Sequence, residues 1–88
     1  MRNFEIYELI GAIANAAVAN GGTKLKLSEL AKILTILDIE SDEWDHYKNR
    51  TDGIIKNAYN HFLKNGDSNT ANAIKDTYIR KNGTFLDY

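Results

Sequence analysis

Four stretches of the chain carry apolar side chains at helical spacing, and short clusters of glycine, asparagine and aspartate separate them. Because proline is absent, these clusters must supply the breaks between elements. The pattern predicts four helices, at about residues 3–19, 28–37, 52–65 and 68–81. With 88 residues in all, the helices must share one hydrophobic core, so a single domain over residues 1–88 is expected.

Residues suited to helix ends flank these stretches. Ser28, Thr51 and either Asp67 or Ser68 are placed to cap the starts of the second, third and fourth helices. Gly66 lies just past the third helix, where a left-handed backbone ends helices easily, and Gly83 supplies the stop after the fourth. Each boundary therefore has a local chemical reason.

Two short segments alternate polar and apolar residues as strands do, at residues 23–27 and 84–88. Pairing them would satisfy backbone groups that an isolated strand leaves unpaired. The expected fold is therefore a mainly α, small four-helix domain with a possible short two-stranded β-ribbon.

Composition narrows the class of protein. The chain is 43% hydrophobic and 26% charged, which is typical of a globular domain. Cysteine is absent, which excludes disulfides, thiolate metal sites and a cysteine nucleophile. The longest apolar stretch, residues 9–19, is interrupted by Gly11 and Asn15 and is shorter than the roughly 20 residues that span a bilayer. We therefore expect a cytoplasmic protein that does not enter a membrane.

An acidic stretch, residues 38–45, has the alternating carboxylates of a calcium loop but not its other requirements. Glu43 stands where the loop needs glycine, and Asn49 stands where it needs a closing glutamate. The preferred interpretation is that Ser41 caps a short helix with an acidic first turn. Trp44 beside it either anchors this segment on the core or is exposed for a partner.

Neither histidine has the neighbours that catalysis or metal binding requires. His46 and His61 lack a second ligand type or an orienting partner at suitable spacing, so both are expected to be solvated surface residues. With no catalytic or cofactor motif in the chain, we expect a non-enzymatic protein with no cofactor and no metal.

The second and third predicted helices have the outline of a helix-turn-helix, in which the second helix enters the major groove of DNA. Residue types that contact phosphates and base edges lie at the start and on the polar face of the third helix. The candidate DNA-binding residues are Lys48, Asn49, Arg50, Lys56, Asn57 and Asn60. Against this stand the long acidic connection over residues 38–51 and a net charge of −1, since nucleic-acid binders usually have a basic footprint.

The alternative is a protein-interaction module or inhibitor of a host factor. Ile33 and Ile36 extend the apolar stripe of the second helix and can form a docking surface or the seam of a homodimer, unless they belong to a wide buried face. The acidic segment would complete the surface. The candidate protein-interaction residues are Ile33, Ile36, Asp42, Glu43 and Trp44.

The C-terminal half resembles a pattern in small uncharacterised proteins carried by phages, prophages and plasmids. The residues of the pattern are Arg50, Gly53, Ala58-Tyr59, Phe62, Gly66-Asp67, Thr70-Ala71, Ile74, Gly83 and Tyr88. In those proteins a glycine follows the arginine, whereas this chain has Thr51. The resemblance implies a mobile-element origin and a regulatory or host-interacting role, and it transfers no catalytic residues.

Overall fold

The computed structural model describes residues 3–37, 42–47 and 50–88. These residues form a mainly helical domain, as the sequence predicts, with five helices and two short strands in the described ranges. Their order is α1 (Asn3–Ala19), β1 (Leu25–Lys26), α2 (Leu27–Ile36), α3 (Asp42–Tyr47), α4 (Thr51–Lys64), α5 (Ser68–Thr77) and β2 (Tyr78–Ile79).

The core lies between α1, α4 and α5, which pack on one another, while α2 and α3 cover α4 from outside this group. One residue per turn of α1 faces inward, because Ile6, Ile10 and Ala14 recur every four positions and are fully buried. Gly11 on the same helix lets α1 lie close to α4, since a Cβ at this position would lie 2.7 Å from the ring of Phe62 on α4. The remaining buried apolar side chains include Leu30, Leu34, Ile54, Ile55, Ala58, Ala71, Ile74 and Tyr78.

The corner between α4 and α5 is built as the sequence predicts. Gly66 has a φ of +79°, the left-handed conformation that glycine adopts without steric cost. The carboxylate of Asp67 accepts hydrogen bonds from the backbone N–H and the hydroxyl of Thr70, at 3.1 and 2.8 Å. Asp67 is therefore the N-cap of α5, and this prediction is confirmed.

Two other predicted caps are wrong. Lys26 occupies the N-cap of α2 and Arg50 that of α4, and neither makes a side-chain capping bond. Ser28 and Thr51 lie inside their helices instead. At α2 the reason is that strand β1 continues directly into the helix, so the chain turns helical one residue before the serine.

The end of α5 differs from prediction. The expected helix over 68–81 stops at Thr77, and Tyr78 is extended, with φ −87° and ψ 128°. The Tyr78 hydroxyl donates a 2.7 Å hydrogen bond to the carbonyl oxygen of Ile10 inside the core. A large ring fixed in this way, followed by a β-branched residue, favours a strand over another helical turn.

The partner of β1 also differs from prediction. The strand at residues 25–26 forms as expected, but it pairs in parallel with β2, with Leu25 opposite Tyr78 and Lys26 opposite Ile79. The 84–88 segment reaches the other side of β2, where Phe85 forms an antiparallel bridge with Ile79. The predicted ribbon of 23–27 with 84–88 is therefore wrong, because β2 lies between the two segments.

Helix α3 begins in the acidic stretch and ends two residues beyond it, which confirms that a short helix forms there. Trp44 is 5% exposed and belongs to the core cluster. It anchors the helix on the core, which is one of the two roles expected of it. Ser41, Asp38 and Glu40 lie outside the described residues.

In the described part of the chain, no helix is long and apolar enough to cross a membrane.

Candidate nucleic-acid interface

The predicted DNA-binding residues are only partly brought together. Arg50 is exposed at the N-cap of α4, and Asn60 is exposed about three turns later on the helix. Lys56 and Asn57 are half-buried. Lys48 and Asn49 lie outside the described residues, so their part of the prediction has no structural counterpart here.

Helix α4 occupies the middle of the domain. It packs against α1, α2, α3 and α5, and Ile54, Ile55 and Ala58 are completely buried. The connection from α2 to α4 contains α3, so the pair is joined by much more than the three or four residues of a usual helix-turn-helix. What α4 offers to solvent is its two ends and a narrow strip at Asn60.

The predicted protein-interaction residues differ in how far they are exposed to solvent. Ile36 is 80% exposed, whereas Ile33 is half-buried. A shallow cavity of about 290 Å³ lies beside Ile36 and is lined by Ala31, Lys32, Thr35 and Ile36. Asp42 and Glu43 lie on α3, with side chains outside the described part. Trp44 is buried and is not available to a partner.

His61 is not the solvated residue that the sequence predicts. It is half-buried, its ring centroid lies 5.1 Å from that of Tyr7, and it lies 5.2 Å from that of Phe62. The apolar face of α4 is wider than the spacing indicates, because α1 crosses the helix there.

Among the described residues, no three histidine, aspartate or glutamate side chains are grouped so as to hold a metal ion.

A second polar surface, which sequence reasoning missed, forms where β1 and β2 pair. We call it the basic surface and define it as Lys24, Lys26, Arg80 and Lys81. The parallel register pairs Lys26 with Ile79, the last residue of β2, and Arg80 and Lys81 follow β2 directly. Lys24, Lys26 and Lys81 are exposed, and Arg80 is half-buried.

An open cavity of about 760 Å³ adjoins the basic surface. Its lining combines the two cations that follow β2 with the polar groups of Ser28 and Asn82 and the apolar side chain of Leu27. Guanidinium, ammonium and hydroxyl groups are the donors that proteins use for phosphate oxygens. The cavity therefore offers several donors to one anionic group.

Lys24 is held in place at one edge of the basic surface. Its Nζ donates a 2.6 Å hydrogen bond to the carbonyl oxygen of Asp76 in the last turn of α5, where the helix dipole favours a cation. The same Nζ lies 5.2 Å from the centroid of the Phe85 ring, within cation–π range. These contacts hold the Lys24 ammonium group at the edge of the basic surface.

Charge is strongly segregated by this arrangement. Residues 23–28 and 78–85 contain four basic and no acidic side chains. Since the whole chain has a formal net charge of −1 and these segments carry +4, the remaining residues carry −5. An acidic pI of about 6.1 therefore coexists with a local basic footprint.

The sequence contained a signal for this surface. Lysines cluster after the first turn and basic residues cluster near the C-terminus, but more than 50 positions separate the two clusters along the chain. Joining them required the β1–β2 pairing. The apolar spacing predicts a helix over 68–81 that includes Arg80 and Lys81, and the alternation of residues 84–88 predicts the tail as the partner of β1.

Comparison with known proteins adds no assignment: no protein-family model, no curated protein and no solved structure matches this chain.

Proposed function

We propose that this chain is a non-enzymatic nucleic-acid-binding protein that contacts the phosphate backbone through its basic surface. The observation that carries the proposal is the gathering of Lys24, Lys26, Arg80 and Lys81 around one two-stranded sheet in an otherwise acidic chain. Phosphate contacts supply most of the affinity in non-specific nucleic-acid binding. Four clustered cations beside an open cavity match that chemistry.

The proposal includes a biological setting. The resemblance of the C-terminal half to phage, prophage and plasmid proteins suggests a regulatory role for a mobile element in the cytoplasm. A small binding protein without catalysis suits that role, because occupancy of a nucleic acid can by itself block or recruit other factors.

Contact through the helix-turn-helix-like pair stays a separate prediction. Arg50 is exposed and can reach a phosphate, and Asn60 is exposed on the same helix. If α4 contributes, Arg50→Ala weakens DNA binding independently of the basic surface. If Arg50→Ala leaves the affinity unchanged, the predicted contact through Arg50 is wrong.

The proposal is tested by fluorescence anisotropy with labelled mixed-sequence DNA, first at low and then at near-physiological salt. We expect saturable binding that the double charge reversal Lys26→Glu/Lys81→Glu abolishes. Both side chains are exposed, so the variant should fold, and circular dichroism verifies this.

The matched control reverses two charges elsewhere. Lys64→Glu combined with Lys75→Glu changes the net charge equally at exposed residues of α4 and α5. We expect the control to retain most of its affinity. If both double variants lose binding equally, net charge and not the basic surface governs the interaction, and the proposed site is wrong.

A second candidate function is protein interaction through α2. Ile36 is 80% exposed and the adjacent Leu37 is 53% exposed, and contiguous exposed apolar surface is typical of docking surfaces. The occupant would be a host or phage protein or a second copy of this chain. Sedimentation velocity over a concentration series tests whether a second copy of this chain is the occupant. A homodimer should dissociate on Ile36→Glu, and a protein that stays monomeric at all concentrations excludes the homodimer.

A further inference from the structure

The outward face of the small sheet combines cations with an aromatic ring. Side chains alternate between the faces of a strand, and Tyr78 on β2 points into the core. Its neighbour Ile79 therefore points outward. Lys26 is paired with Ile79 on one side and Phe85 is bridged to it on the other, so all three side chains share the outward face.

Phe85 is exposed although it is large and apolar. The residue is 51% exposed to solvent. The Nζ of Lys24 lies 5.2 Å from the ring centroid. The exposed ring therefore lies beside one cation and shares its face with Lys26 and Ile79.

The turn before Phe85 is ordered by its own hydrogen bonds. The backbone N–H of Arg80 donates to the carbonyl of Thr84 at 2.7 Å. The Oδ1 of Asn82 accepts from the N–H and the hydroxyl of Thr84, at 3.2 and 2.7 Å. These bonds hold the ring beside the basic surface before any ligand arrives, which lowers the entropic cost of binding.

We infer that this face binds single-stranded nucleic acid, with one base stacked on Phe85 and the neighbouring phosphates on Lys24 and Lys26. Further phosphates lie on Arg80 and Lys81, which follow β2 and line the adjoining cavity. This inference rests on the proposed function and specifies its ligand. Proteins that bind single strands combine a basic groove with aromatic rings on which bases stack. In a duplex the base faces are covered by neighbouring pairs, so an exposed ring gains little from them.

The test compares three labelled probes of one mixed sequence: a 12-nucleotide single-stranded DNA, the corresponding RNA and the DNA duplex. Anisotropy titrations at low salt are expected to give tighter binding of the single strands than of the duplex. Phe85→Ala should weaken the single strands by about fivefold to tenfold, while duplex affinity stays within about twofold. Phe85→Tyr keeps the ring and should retain the affinity.

Leu63→Ala is the matched control, because Leu63 is an exposed apolar residue of similar accessibility, 48%, at the end of α4. It should leave all three affinities unchanged. A second readout uses tryptophan: Phe85→Trp places an indole at the site, and stacking of a base should quench its fluorescence. Leu63→Trp should show no such quenching, and buried Trp44 gives the same background in both.

The outcomes separate the two proposals. Duplex binding as tight as single-strand binding, or no effect of Phe85→Ala on single strands, overturns the stacking site. The proposed function survives that result if Lys26→Glu/Lys81→Glu still abolishes binding. Absence of binding to every probe at low salt removes both proposals.

Discussion

At the scale of single residues, Gly11 shows how closely three helices approach one another. A Cβ at this position would lie 2.7 Å from the ring of Phe62 on α4 and from the methyl group of Thr70 on α5. We expect Gly11→Ala to lower the free energy of unfolding by about 1–3 kcal/mol, although alanine favours a helix by about 1 kcal/mol relative to glycine. Urea unfolding followed by circular dichroism measures the change.

A double-mutant cycle gives the control for Gly11. Phe62→Leu removes the ring edge that the new methyl group would meet, so the two changes should couple favourably by at least about 0.5 kcal/mol. Ala12→Ser, on the exposed side of the same helix, should change stability by less than about 0.5 kcal/mol. Strict additivity of Gly11→Ala and Phe62→Leu would show that the contact with the Phe62 ring is not the cause.

Tyr78 makes stability depend on alkaline pH. Burial raises the pKa of its phenol well above the ordinary value of 10.0, so the folded protein holds this proton where the unfolded chain releases it. The stabilising effect is complete below pH 10 and is lost as the pH rises further, because only the unfolded state ionises there. The slope contributed by this residue approaches about 1.4 kcal/mol per pH unit.

The measurement for Tyr78 is a series of urea denaturation curves from pH 8 to pH 11. Tyr78→Phe should cost about 1 kcal/mol at pH 8, since the hydrogen bond to Ile10 is lost, but should lose less stability above pH 10 than the unsubstituted chain. Equal pH dependence in both proteins would contradict the assignment. Burial also raises the pKa of Tyr88, so Tyr88→Phe is the comparison variant.

Residue environments were the hardest feature to predict from sequence. The spacing predicts Ile54, Ile55 and Ala58 as core residues, and all three are fully buried. The prediction succeeds because a long helix with one apolar stripe buries that stripe against the rest of the domain. The same spacing placed His61 in solvent, whereas it packs against Tyr7. Whether residues beside an apolar stripe are buried depends on which other helix packs across them. That packing is part of the tertiary structure and cannot be read from the spacing.

At the scale of secondary-structure elements, the cap of α5 decides where that helix begins. Asp67 accepts two hydrogen bonds from Thr70, and N-cap aspartate replaced by alanine costs about 1 kcal/mol. We expect Asp67→Ala to lower the midpoint of thermal unfolding, and Asp67→Asn or Asp67→Ser to restore most of the loss. If the alanine and asparagine variants are equally destabilised, charge on Asp67 matters more than capping.

The boundary between α5 and β2 explains why one element was missed. A helical stripe continues from Ala71 and Ile74 to Tyr78 in sequence, and nothing in residues 78–81 breaks a helix locally. The break comes from long-range partners: the core acceptor on Ile10 for the Tyr78 hydroxyl and the paired strand β1. Local pattern therefore predicted the helix but not where it ends.

At the scale of the whole molecule, the fold class followed from sequence, but the basic surface did not. Four helices over one core are what the periodicity and the length permit. The basic surface depends on which short strands pair, and two-residue strands have too few side chains to specify a partner. Net charge does not indicate the basic surface either, because it sums the +4 of this surface and the −5 of the remaining residues.

The basic surface makes a quantitative prediction for salt dependence. If all four cations contact phosphates of a single strand, the logarithm of the binding constant should fall with the logarithm of salt concentration at a slope of about −2.8. Between 50 and 200 mM salt the affinity would then drop by about 50-fold. Lys26→Ala/Lys81→Ala should reduce the slope to about −1.4, because two counterion-releasing contacts are removed.

Lys64→Ala, which removes an exposed charge from the end of α4, should leave this slope unchanged, so the measurement counts phosphate contacts at the basic surface specifically. A slope that is steep in the unsubstituted chain and unaltered in Lys26→Ala/Lys81→Ala would place the phosphates elsewhere, and Arg50→Ala would then identify the N-terminal end of α4 as the contact. A flat slope in the unsubstituted chain would remove backbone contact altogether, because cations that bind phosphates necessarily release counterions.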